Sequence, residues 1–196
     1  MHNDTQEIIA YFDALAPCWD EISRPEPEKL AAIVCLAGTM QGKKILDVAC
    51  GTGVLFPYLL KQEPASLTGI DISAEMIRQA ARKFSAPNIN LVAGDVLKWK
   101  DDGFDFIFLH NAYPHFADKQ KLAGWVWEHL APGGRFMLAH SDGRATINSR
   151  HSGEKTREVS QGLGPATEEV ALWREFLAVD ILADTSEFYL ISGIKK

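Results

Sequence analysis

Apolar positions change period along the chain, and each change marks an element. Between residues 5 and 36, Ile8, Ile9, Phe12 and Leu15 recur as one face of a helix, Pro17 interrupts it, and Pro25 and Pro27 precede a second helix over Glu28–Ala37. Gly38 suits the position just past its end. Short apolar runs then predict strands at Lys44–Ala49, Ser66–Ile72, Asn88–Ala93, Phe104–His110 and Arg135–His140. Between them, helical patterns fall at Thr52–Lys61, with Pro57 confined to the first turns, at Ala74–Phe84 behind the N-cap Ser73, and at Asp118–Leu130, which the turn APGG follows. The run FDFIFLH (104–110) is apolar throughout, as a strand buried on both faces would be.

Strands alternating with helices predict βαβ units, hence a parallel sheet with helices on both faces. The C-terminal part reads differently. Ser141–Pro165 is polar and aperiodic apart from a short helix near Glu154–Gln161, and Thr167–Leu177 is a helix. Ala178–Ala183 and Glu187–Ile194 are strands joined too closely for anything but an antiparallel pair at one sheet edge. The expected fold is therefore α/β, a Rossmann-like doubly wound, mostly parallel seven-stranded sheet with an antiparallel edge strand. Residues 1–196 are expected to form a single domain, with a helical cap over 1–40 and a lid segment over 141–166.

Composition narrows the function classes. Hydrophobic residues at 46% and charged residues at 23% describe a soluble globular chain, and no apolar run approaches the roughly 18 residues of a membrane span. The acidic N-terminus lacks the pattern of a secretory signal, so the cytoplasm is the expected location. A net charge of -6 argues against nucleic acid as a partner, because phosphate binding needs a basic face. Cys18, Cys35 and Cys50 contain no CxxC pair, and the histidines lack HExxH spacing, so neither a disulfide framework nor a metal site is expected.

The chemistry concentrates at ILDVACGTG (45–53), a strand ending in an acid and a glycine turn. A dinucleotide site wants G-x-G-x-x-G, but the third glycine position is Phe56. A phosphate-cradling P-loop is ruled out because no G-K-[ST] follows. The acid that such sites use on ribose is present as Asp71, 20 residues after Gly51. Asp47 precedes the turn and Asp95 ends the third strand, so several carboxylates face one crevice at the strand ends. That crevice repels pyrophosphate and suits a cationic nucleoside.

Five segments in order, ILDVACGTG, GIDIS, AGDVL, FDFIFLHNAYPHF and LAPGGRFMLAH, resemble the class I S-adenosylmethionine-dependent methyltransferases. The closest likeness is to the small ubiquinone/menaquinone-type enzymes, which share the N-terminal pattern read here as YFDALAPCWD (11–20). The resemblance implies S-adenosyl-L-methionine as cofactor, held by Ala49 and the backbone of Gly51, Thr52 and Gly53, with Asp47 on its ammonium and Asp71 on its ribose. Ile72 and Met76 would flank the adenine, Asp95 and the Val96 amide would bond it, and His110 would lie near the sulfonium. Tyr11 and Trp19 would close the pocket, Trp19 by its π face.

Displacement at a sulfonium needs mainly alignment, and a base only when the acceptor carries a proton of high pKa. His110, His115, Tyr113 and His140 form the candidate acceptor wall and catalytic set. NAYP (111–114) is not the N-P-P-Y order of amino-group nucleic-acid methyltransferases. The expected function is methyl transfer to a small molecule. The alternatives are a protein- or RNA-directed methyltransferase and a non-catalytic S-adenosylmethionine-binding protein.

Overall fold

The computed structural model describes residues 5–150 and 159–196. The N-terminal helices are α1 (Thr5–Leu15), a 3-10 turn (Ala16–Cys18), α2 (Trp19–Ile22) and α3 (Pro27–Ala37). There follow β1 (Lys44–Val48), α4 (Phe56–Leu60), β2 (Ser66–Asp71), α5 (Ala74–Lys83), β3 (Ile89–Ala93), β4 (Phe104–His110), α6 (Lys119–His129) and β5 (Leu130–His140). The chain ends with α7 (Arg144–Arg150), α8 (Ala166–Phe176), β6 (Leu177–Asp184) and β7 (Tyr189–Lys195). No helix among the described residues is long and apolar enough to cross a membrane.

The seven strands lie in the order β3-β2-β1-β4-β5-β7-β6. The five on the β3-to-β5 side are parallel, while β7 runs antiparallel to both β5 and β6. The expected α/β architecture holds. The reversed strand is β7, one in from the edge, because the β6–β7 hairpin docks by its second strand.

Period-two alternation divides the core between the two faces. Leu46, Ile107 and Leu109 enter one apolar cluster with Leu122 and Val126 of α6 and Val170 and Trp173 of α8. Ile45 and Phe108 enter the other with Leu30 and Ile33 of α3 and Phe56 of α4. The sequence also explains how α4 packs without the third glycine of a dinucleotide turn. The space is left by Gly69 on β2 instead, where a Cβ would fall 2.5 Å from the Phe56 ring and 2.9 Å from the Cys50 sulfur.

Three expectations change in detail. The helix expected over Thr52–Lys61 begins only at Phe56, because Gly51 and Gly53 adopt φ of +55° and +85° and spend the first residues on a turn. APGG lies within β5 rather than before it, in a stretch where the register against β4 shifts between Phe104 and Phe106. The segment after β5, read as aperiodic, contains α7, whose Ile147 is buried. Residues 151–158 of the expected lid, with His151 and most of the helix near Glu154–Gln161, lie outside the described residues.

Candidate functional site

The strand order reverses between β1 and β4, and the crevice beyond their carboxyl ends is where such sheets bind ligands. A cleft of about 690 Å³ lies there. Both strands bordering it end on a non-glycine residue in the left-handed region, Ala49 after β1 and Asn111 after β4, each at φ +53°. Non-glycine residues in this region are uncommon; the third among the described residues, Glu63, lies away from the cleft. Asn111 is held there at both ends of its amide: Oδ1 accepts the Ser141 N–H at 3.1 Å and Nδ2 donates to Ser141 Oγ at 3.1 Å.

Asp71, at the end of β2, is the hinge of the β1–β2 side. Its Oδ2 accepts the Gly51 N–H at 2.8 Å and its Oδ1 the Ser73 N–H at 2.9 Å, so one carboxylate fixes both the glycine turn and the entry to α5. Burial raises its pKa to about 6, against those backbone hydrogen bonds, with Asp13 adding to the rise. Asp47 sits deeper, 2% exposed, and among the described residues its carboxylate accepts no hydrogen bond. Burial and then the neighbouring Asp71 push its pKa well up. A floor carrying two largely buried carboxylates, neither ion-paired among the described residues, is the wrong environment for phosphate and the right one for a positively charged ligand. The residues present therefore fit a sulfonium nucleoside.

Ile72, Met76 and Val96 line the same end, with Met76 and Val96 buried. Asp95 lines it too, and is partly committed: Oδ1 accepts the Leu97 N–H at 3.0 Å and Oδ2 pairs with Lys98 at 3.3 Å. Trp19 completes this side over the turn, its indole nitrogen 3.6 Å from where a Gly51 Cβ would stand.

Beyond the end of β4, His110 and His115 both line the cleft. His110 is 7% exposed, nothing among the described residues hydrogen-bonds its buried Nε2, and burial lowers its pKa to about 4. It is neutral at pH 7. His115 Nδ1 lies 2.8 Å from the Val159 carbonyl, and its ring packs edge-to-face on Phe12 at 5.0 Å. A carbonyl only accepts, so Nδ1 carries a proton. The Gln161 N–H donates to the Pro114 carbonyl at 2.7 Å, which ties the chain after the undescribed segment to the same turn.

The remaining candidates lie away from the cleft wall. Tyr11 packs edge-to-face on Phe12, which itself lines the cleft. Thr52 and Gly53 belong to the glycine turn and are buried within it. Tyr113 is fully buried and donates to Glu169 at 3.0 Å; burial and then that carboxylate push its phenol pKa up. His140 is buried edge-to-face on Tyr189. Sequence reasoning missed Phe12, Asn111, Lys121 and Gln161 as cleft residues. For Phe12 the signal was its place in YFDALAPCWD; Asn111 follows a strand end, where left-handed asparagine is favoured.

Residues 45–134 match a protein-family model described as Methyltransferase domain. The chain is 32% identical over 131 residues to phthiotriol/phenolphthiotriol dimycocerosates methyltransferase 1 of Mycobacterium ulcerans, covering 62% of this chain and 47% of that protein. It is 31% identical over 137 residues to demethylmenaquinone methyltransferase of Thermus thermophilus, covering 65% and 62%. The chain thus spans less than two thirds of the length of these curated relatives. Among solved structures, the N-methyltransferase NodS of Bradyrhizobium japonicum with S-adenosyl-L-homocysteine superposes with a TM-score of 0.74 at 16% identity, over 96% of this chain and 98% of that one. The fold is the class I methyltransferase fold, and the resemblance read from the five sequence segments holds.

Proposed function

We propose that the chain is an S-adenosylmethionine-dependent methyltransferase acting on a small-molecule acceptor. The observation that carries this is the floor of the cleft, where Asp47 and Asp71 are buried carboxylates beside the glycine turn and Asp47 has no donor of its own among the described residues. The matched methyltransferase domain and relatives named for small acceptors support the same reading. The net charge of -6 favours a small molecule over nucleic acid.

The cofactor supplies an activated methyl group on a sulfonium; the chain supplies position. Asp47 would accept hydrogen bonds from the ammonium and Asp71 from the ribose hydroxyls, while Ile72, Met76 and Val96 would hold the adenine by apolar contact. His110, kept neutral by burial, offers a ring nitrogen at the cleft wall without setting a second positive charge beside the sulfonium. His115, oriented through the Val159 carbonyl and lining the cleft, is placed for its ring to take a proton from the acceptor.

The test is calorimetric titration with S-adenosylmethionine and S-adenosylhomocysteine, followed by transfer of a labelled methyl group to quinols, phenols, amines and thiols. Micromolar binding and labelled product are expected. Binding without transfer to any small acceptor, with transfer to protein or RNA, overturns the acceptor class; no binding by folded protein overturns the whole reading.

A further inference from the structure

The stretch YFDALAPCWD carries two aspartates, Asp13 and Asp20, for which the cleft chemistry above has no use. Both reach from the N-terminal helices to the rim of the cleft. Asp13 Oδ1 accepts from Ser73 Oγ at 2.6 Å and from the Glu75 N–H at 3.2 Å. Ser73 is fully buried and accepts the Met76 N–H at 3.1 Å, while its own N–H donates to Asp71. Asp20 Oδ1 accepts from Thr52 Oγ1 at 2.5 Å, and its Oδ2 pairs with Lys83 Nζ at 2.6 Å. Thr52 lies inside the glycine turn and Lys83 closes α5. The two carboxylates therefore grip α5 at both ends, and the second one grips the turn as well.

Few buried side chains among the described residues hold this segment. Neither α1 nor α2 has a buried residue, whereas α3 buries Leu30, Ile33, Val34 and Ala37. Between the latching residues only Ala16 is buried, in the turn stiffened by Pro17. The same segment sends Phe12 and Trp19 to the cleft, packed edge-to-face at 5.7 Å. Hydrogen bonds to half-exposed carboxylates exchange readily with water. A wall held by them can swing without disturbing the sheet.

We propose that Asp13 and Asp20 are positioning residues that latch the segment 5–22 over the nucleoside, holding Phe12 and Trp19 against the cleft and letting go when ligand enters or leaves. This rests on the cleft taking the nucleoside. The latches differ in kind. Asp20 uses an exposed ion pair that salt screens, and Asp13 uses neutral donors that salt leaves alone.

Two measurements separate the latch from the ligand. Hydrogen exchange of ligand-free protein should rise about tenfold across residues 5–22 in Asp13→Ala and Asp20→Ala, the effect of one lost charge-assisted hydrogen bond. Asp13→Asn, which keeps an acceptor oxygen for Ser73 and Glu75, should stay near wild type. Dissociation of S-adenosylhomocysteine should quicken about tenfold in both alanine variants, and in Asp20→Asn should lose its salt dependence. Wild-type exchange in the alanine variants overturns the latch whether or not ligand binds. A rise spread over the whole sheet with a matching fall in Tm overturns it too, as a purely structural role. Faster exchange confined to 5–22 in a protein that binds no S-adenosylhomocysteine upholds the closure and overturns only the nucleoside as its cargo.

Discussion

The β1–β2–β3 half of the crevice and the β4–β5 half differ in what fixes their chemical groups. On the first, acids sit at or beside strand ends, and two of the three are fastened by backbone: Asp71 by the Gly51 and Ser73 amides, Asp95 by the Leu97 amide. On the second, the groups sit on turns that other turns hold in place: Asn111 through Ser141, His115 through Val159, and Pro114 through Gln161. Backbone-fixed groups serve a ligand that does not vary. Groups on mutually braced turns can change with the acceptor while the sheet stays the same. On the proposed function, the difference makes cofactor affinity and acceptor turnover separable.

The sharpest break in that comparison is His115→Ala. It should lower kcat about 10²–10⁴-fold if its ring takes the acceptor proton, with cofactor affinity measured by calorimetry unchanged. Equal loss of both would merge the two halves. Asp71→Ala should do the reverse, weakening cofactor binding by about 1.5–3 kcal/mol through lost charge-assisted hydrogen bonds, in protein whose melting shows it folded. Proton linkage gives the next effect. The pKa of Asp71 is raised to about 6, and the proposed ribose contact uses its ionised form. Affinity should be full above that pH and fall as pH drops through it, by about tenfold between pH 7.5 and 5. A flat profile would remove Asp71 from the ribose. The smallest effect belongs to Tyr113→Phe, which loses the bond to Glu169. A stability loss of about 1 kcal/mol in denaturant melts with unchanged turnover is expected, and a fall in turnover would return Tyr113 to the acceptor wall.

What the sequence disclosed follows the same division. Local rules found the Ser73 cap, whose Oγ accepts the Met76 amide, the left-handed Gly38 at φ +100°, and β4 to the residue. They found the acids because strand ends are predictable and ligands lie beyond them. They did not find α7, whose polar sequence carries a single buried residue, Ile147. Nor could they tell which way His140 and Tyr113 point. His140 lies opposite Tyr189 in the β5–β7 register, and Tyr113 reaches Glu169 across 56 residues. Both placements depend on pairings distant in sequence, which no periodicity encodes. The roles of Asp13 and Asp20 were hidden for the same reason, since their partners lie 60 and 32 residues away, at Ser73 and Thr52.

The central claim is that buried acids beside the glycine turn hold a nucleoside cofactor. Calorimetric titration of S-adenosylhomocysteine into the wild-type protein and into Asp71→Ala, at pH 7.5, tests it most directly. The account predicts micromolar binding to the first and at least tenfold weaker binding to the second. Equal affinity in both, or no binding to folded wild-type protein, would contradict it.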